Sequence, residues 1–205
     1  MTSPSPAPTA SDDQAGAPRD ADHVRADAPL AVRAADDLGD LVELDRLAAA
    51  LDGVGRRIPA RARGLLHGEP LGHPAHPLVV VVPIGFWVAA SIVGWLPGGA
   101  RMARVLTGLG ALAAAPSAAT GLADWLHLGR RARRVGAAHA LANSVGVALA
   151  TASWSARRGH RRHVPLRAHL LSAGVLAVIG VSGYLGGHLA YRMGAGVDSD
   201  ARTSE

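Results

Sequence analysis

The chain has no cysteine and no lysine among its 205 residues. Without thiols it cannot form disulfides, Cys-based zinc sites, Cys-ligated iron–sulfur clusters or a thiol nucleophile. Without lysine, all 21 basic residues are arginine, which together with the abundance of alanine reads as GC-rich coding. Aromatics are scarce too, at four Trp, two Tyr and one Phe. The arginines flank apolar runs with no stacking aromatics among them, so the basic balance does not point to nucleic acid. Acids are nearly missing from most of the chain. Residues 53–197 hold 16 Arg against two acids, Glu69 and Asp124, whereas residues 1–52 hold four Arg against 11 acids. The net charge of +5 therefore averages two segments of opposite sign.

Residues 1–38 are rich in Ala, Pro, Asp and Ser, too poor in apolar side chains to offset the entropy of ordering, and read as a disordered acidic tail. No apolar core of a signal peptide lies in the first thirty residues. Leu38, Leu41, Val42, Leu44, Leu47 and Leu51 recur at spacings of three and four and predict a short amphipathic helix ending near Gly53. Arg56, Arg57, Arg61 and Arg63 follow as a basic juxtamembrane collar suited to anionic headgroups. The organisation expected is a tail over 1–38, an amphipathic helix and basic segment over 39–63, a membrane domain over 64–198 and a C-terminal tail over 199–205.

Four apolar runs occupy 77–96, 105–123, 135–156 and 170–191. Each is close to the roughly 20 residues that cross a hydrocarbon core. A soluble bundle would need polar outer faces, and these runs are apolar all round. The fold class is all-α, a four-helix transmembrane bundle with a disordered N-terminal tail, and the lipid bilayer is its first partner. The second run is the weakest, rich in Ala and Gly and interrupted by Pro116, which a bundle tolerates where neighbours satisfy the freed backbone. On alternate sides of the spans the arginines number ten and seven, which places both termini on the cytoplasmic side of a bacterial inner membrane.

Ionisable groups at membrane depth are candidates for function. His73 and His76 stand before the first run, Asp124 and His127 after the second, His139 near the start of the third and His188 near the end of the fourth. In an antiparallel bundle these places share one face. At ~1.5 Å per residue, His139 and His188 lie roughly 6–8 Å inside their helix ends, so the group forms one shallow layer. Converging imidazoles from different helices hold a metal or a haem without importing charge. Asn143 faces the same way as His139 and suits a propionate, a quinone oxygen or another helix. Tyr184 stands one turn before His188, and Gly180, Gly183, Gly186 and Gly187 leave either close helix contact or room for a flat ring. Asp124 could fix a His tautomer or pair with Arg130 or Arg192. The bland alternative explains each separately: His73 and His76 each precede a proline and shape the start of a helix, lone histidines hydrogen-bond across helices, and Asp124 with Trp125 is a polar helix end beside an aromatic anchor. His160, His163 and His169, on the opposite face, read as solvated charge in an arginine-rich loop.

The segments LHGEPLGHPAHPLVVVVPIGFW (66–87), GLADW (121–125), GAAHALAN (136–143) and GYLGGHLAYRMGAGVD (183–198), in this order and spacing, resemble the bacterial membrane family catalogued as domain of unknown function 2231. The resemblance covers about residues 60–198 and implies a four-helix integral membrane domain. Some members look like fusions to a Rieske-type iron–sulfur domain, which implies electron transfer. Here Glu205 follows soon after the last motif, so such a partner is expected on a separate polypeptide.

Three functions remain in view. The first is a b-type haem protein in which two of His76, His139 and His188 ligate iron, with His139 and His188 the favoured pair, passing electrons between a soluble donor and quinone. The second is a non-haem metal site drawn from His73, His76, Asp124, His139 and His188, serving transport or hydrolysis. The third is a cofactor-free scaffold whose acidic tail recruits partners.

Overall fold

The computed structural model describes residues 28–160 and 162–195, and among them the only regular structure is helical. The chain divides into two compact units, residues 1–34 and 35–205. What is described of the first is the opening of helix α1 (Leu30–Leu38), which runs across the division. The tail expected over 1–38 is thus helical from Leu30, and its residues 1–27 lie outside the described residues. The amphipathic helix expected from Leu38 starts later, as a 3-10 turn at Val42–Leu44 followed by α2 (Asp45–Gly55). The basic collar is not a free segment either, since its second half enters α3 (Ala60–His67) behind Pro59.

Four long helices follow: α4 (His76–Val93), α5 (Ala100–Trp125), α6 (Arg130–Ala156) and α7 (Leu166–Tyr191). Each is long and apolar enough to cross a membrane. The 18 residues of α4 span about 27 Å at 1.5 Å per residue, and the other three are longer. Three of the four run past the uncharged stretches because the flanking arginine and small residues continue the helix into the interfacial zone. Arg101 and Arg104 lie in the first turns of α5, and Arg130 to Arg134 in those of α6. The fourth case is α4, which stops at Val93, three residues short of the apolar run.

The helices pack as two hairpins, α4 with α5 and α6 with α7, joined along α5–α6 and along α4–α7. This is a cyclic up-down-up-down bundle in which α4 and α6 stand diagonally opposite. Prolines inside the helices are accommodated locally. Pro83 cannot donate to the carbonyl of Val79, and Ser117 Oγ of α5 donates to that oxygen at 3.3 Å instead.

The two hairpins match position by position. On α4 the buried residues Pro83, Trp87 and Ala90 stand at the same distances after His76 as buried Gly146, Ala150 and Ser153 stand after His139 on α6. On α5, Ala103, Thr107, Gly110, Ser117, Thr120 and Ala123 correspond in spacing to Ala168, Ser172, Val175, Ser182, Leu185 and His188 of α7, and all twelve are buried. Shared letters include Ala-His-x-Leu at 75–78 and 138–141, Ser-x-x-x-Gly at 117–121 and 182–186, and Ala103 with Ala168. The hairpins are thus related by an approximate two-fold axis along the bundle.

The segment before the bundle is tied to one end of it by charge. Arg134, 8 % exposed, grips Asp45 through both nitrogens of its fork, Nε to Oδ1 at 2.7 Å and Nη2 to Oδ2 at 2.8 Å, and donates to the carbonyl of Gly39 at 3.2 Å. Arg133 and Trp125 Nε1 both donate to the Asp52 carboxylate, at 2.9 and 2.7 Å, and Arg131 pairs with Asp40 at 2.9 Å. These acids neutralise arginines of the same chain. The bonded guanidinium of Arg134 holds the Asp45 carboxyl below the usual carboxylate range.

Candidate functional site

The end of the bundle beneath α1–α3 carries the histidine layer. Its geometry begins at the turn between α3 and α4. Gly68 closes α3 with φ of 101°, and a side chain there would fall 2.2 Å from the carbonyl of His73, so only glycine fits. The turn sends Ala75 N–H back to the carbonyl of His67 at 2.9 Å, which starts α4 at His76 and leaves His67 facing the end of α5.

His76 lies over Gly121 of α5. A Cβ on Gly121 would sit 3.0 Å from the ring, so the missing side chain is the seat of the imidazole. Its Nδ1 is 3.0 Å from the carbonyl of Ser117 and 3.2 Å from Thr120 Oγ1. A carbonyl only accepts, so Nδ1 carries the proton and Nε2 the lone pair. His139 repeats the arrangement on the other hairpin. It lies over Gly186 of α7, with Nδ1 2.8 Å from the carbonyl of Ser182 and 3.0 Å from Ser182 Oγ. Its Nε2 lone pair accepts from Asn143 Nδ2 at 3.0 Å, and Asn143 Oδ1 accepts from Ser182 Oγ at 2.8 Å. The two imidazoles meet across the bundle axis with centroids 6.4 Å apart and planes at 86°. Among the described residues His76 Nε2 has no hydrogen-bond partner.

The other expected members go elsewhere. His188 is buried, but its ring faces α1, with Nε2 3.1 Å from Asp36 Oδ1, and Arg192 approaches the same carboxylate at 3.5 Å. It stands six residues, roughly 9 Å of helix, beyond the Ser182 that holds His139, so the favoured pair of the third and fourth runs is not brought together. Tyr184 is 43 % exposed on the outside of the bundle, and His73 is exposed with its Nδ1 near the carbonyl of Pro74 at 3.3 Å. Gly186 takes the His139 ring rather than a flat cofactor, while Gly180 and Gly183 face open space. Asp124 pairs with neither Arg130 nor Arg192. Its Oδ1 is 2.7 Å from His67 Nδ1, and the His67 ring lies against His127 with centroids 4.6 Å apart and planes tilted by 33°.

His67 is the residue that reasoning from the sequence missed. It lies outside every apolar run, in a short polar helix, and only the Gly68 turn brings it to Asp124. The spacing of His67 from the GHPAHP motif was the available signal, but it has no meaning until the turn is known. Among the described residues no group of three or more His, Cys, Asp or Glu side chains is placed to hold a metal ion by itself. No curated protein and no solved structure matches the chain. A family model described as a predicted membrane protein, DUF2231, matches residues 72–199.

Proposed function

The chain belongs to the DUF2231 family of predicted membrane proteins, and from that premise we propose that it is a membrane-embedded haem b module that transfers electrons, with His76 and His139 as the axial ligands. The reading rests on one observation: two imidazoles from diagonal helices meet edge to face inside the bundle with centroids 6.4 Å apart. Two rings bound through Nε2 to opposite sides of one ion, at metal–nitrogen distances of about 2.0 Å, have their centroids about 6 Å apart. Both Nδ1–H groups are pinned to carbonyls, the arrangement that fixes a ligand's tautomer and raises its basicity. A group held at His139 Nε2 would take the place of the Asn143 amide on that nitrogen.

Two imidazoles suit haem better than a bare ion. A porphyrin supplies four equatorial nitrogens of its own, whereas a non-haem ion takes three or four protein ligands. His139 and His76 belong to a layer near one membrane face, so one centre is proposed and not a transmembrane wire. Its electron partners are proposed to be quinone in the bilayer and a soluble iron–sulfur protein of the Rieske type. The membrane is proposed to be the bacterial inner membrane, with both termini cytoplasmic.

The test is the visible spectrum of detergent-purified protein, oxidised and dithionite-reduced, with metal analysis of the same sample. A Soret band with sharpened α and β bands on reduction is expected. His76→Ala and His139→Ala should each lose it, and His188→Ala should keep it. A featureless spectrum after expression with ample haem supply overturns the reading. Bound metal without a Soret band replaces it with a non-haem site that recruits ligands from Asp124, His67 or water.

A further inference from the structure

The opposite end of the bundle differs from the histidine end in one respect that its own chain does not remedy. At the histidine end five arginines have carboxylates: Arg134 has Asp45, Arg133 and Arg56 have Asp52, Arg131 has Asp40 and Arg192 has Asp36. At the other end, residues 94–110 and 150–170 contain seven arginines and no acid. Isolated guanidinium groups this close to a bilayer core are costly unless an anion meets them.

Two places there are built rather than merely basic. Arg157, at the end of α6, is 1 % exposed, and its guanidinium reaches only the hydroxyls of Ser153 and Ser172, the latter at 3.2 Å, with Nε buried and unpartnered. Burial pushes its pKa down from the usual guanidinium value, and no carboxylate counters this. On the next turn back of α6, where the helix meets Gly108 of α5, the Trp154 ring has two guanidinium groups over it, Arg104 at 5.1 Å and Arg158 at 4.5 Å from its centroid. The indole can enter the groove because α5 has glycine at 108, where a Cβ would lie 2.9 Å from Trp154 Nε1. Arg104 Nε is buried there and has no hydrogen-bond partner. A cation held on an aromatic face keeps its in-plane donors free, and planar guanidinium donors match phosphate oxygens.

We propose that Arg104, Trp154 and Arg158 form a binding site for the phosphate of an anionic phospholipid headgroup. The lipid is favoured over a free phosphate because apolar side chains continue the groove along α5 towards the membrane centre. Val105, Leu109 and Leu112 are all exposed on that helix, as acyl chains below a headgroup require. Trp95, 71 % exposed at the end of α4, stands at the same level as an interfacial anchor. The phosphate supplies the acceptor for Arg104 Nε, and its charge offsets the field of buried Arg157.

The experiment uses the full-length protein in detergent, with bound lipid measured by native mass spectrometry and by the shift in Tm. The probes are phosphatidylglycerol, phosphatidylcholine and inorganic phosphate. Phosphatidylglycerol should bind and raise Tm, phosphatidylcholine at the same mole fraction should do so at least about tenfold more weakly, and inorganic phosphate should have no effect at equal concentration. Arg104→Gln with Arg158→Gln should remove the preference, and Arg101→Gln, an exposed arginine outside the stack, should keep it. Trp154→Phe, a conservative change of the platform, should weaken binding while the helix content stays constant. Equal binding of the two lipids, an Arg101→Gln effect as large as that of the double variant, or an equal response to inorganic phosphate each overturns the assignment.

Discussion

Ser182→Ala isolates the hydrogen bonds that hold His139. The Ser182 hydroxyl has one proton, and the shorter of its acceptors is Asn143 Oδ1 at 2.8 Å, against the carbonyl of His139 at 3.3 Å. As acceptor it shares the His139 Nδ1–H, 3.0 Å away, with its own residue's carbonyl at 2.8 Å. The substitution removes one oxygen from a site 1 % exposed and leaves no cavity large enough to matter. His139 keeps the carbonyl, so the ring stays seated. Asn143 Oδ1 loses its donor. In a water-soluble core an orphaned acceptor costs about 1–3 kcal/mol. Between membrane helices the measured average for a side-chain hydrogen bond is nearer 0.6 kcal/mol, because the chain dissociated within lipid also finds partners. The membrane value should prevail here, since Asn143 is only half-buried and its Oδ1 can turn to another donor. The expected loss is about 1 kcal/mol, read from unfolding in mixed micelles as the SDS fraction rises. Asn143→Ala should cost about as much, and the double variant should cost less than the sum by about 0.5 kcal/mol. Strict additivity, or a loss above about 3 kcal/mol for Ser182→Ala alone, would refute the shared network.

Gly110→Ala would place a methyl group 2.5 Å from Trp87 Nε1 in the buried core, so a loss of about 1–3 kcal/mol is expected in the same unfolding assay, largely recovered by Trp87→Phe. The Asp45 carboxyl is held below its unfolded value by Arg134. Its contribution to docking is therefore complete above the usual carboxylate range and fades as pH falls through the lowered value. Limited proteolysis of the 39–55 segment should accelerate below about pH 4, and Asp45→Asn should already be fast at pH 7.

Much of the architecture is written in the apolar runs. Absence of charge marks where each span crosses the bilayer but not where its helix ends, because arginine continues a helix at the interface as well as leucine does in the core. That is why α6 begins at Arg130 and not near 135. The shared face of the histidines follows from alternating spans, and His76 and His139 do meet there. Which rings converge is set by rotation about each helix, through Gly121 and Gly186, and an uninterrupted apolar pattern carries no information on rotation. His188 has sufficient depth for the expected pair but points to Asp36, an acid that composition had assigned to a tail. On the opposite face His160 and His163 are exposed, whereas His169 stacks on Trp95 with centroids 3.9 Å apart. Arg157 belongs to a run of arginines that looks solvated, yet it turns inward beneath Ser153 and Ser172 and is buried.

The matching hairpins bear on the origin of the paired imidazoles. A symmetric dimer of one two-helix peptide presents every residue on its axis twice, so a single histidine seated on a single glycine is enough to create two facing rings. Joining two such peptides end to end preserves the pair and releases each half to change alone. The present chain has the marks of that freedom: tryptophan at position 87 where its counterpart is Ala150, and a proline at 83 where its counterpart is Gly146. Among what both halves still share are the histidine, the serine whose carbonyl holds it and the glycine beneath it. The seat of the paired imidazoles is the part of the repeat in which the ring, the serine that holds it and the glycine beneath it all agree.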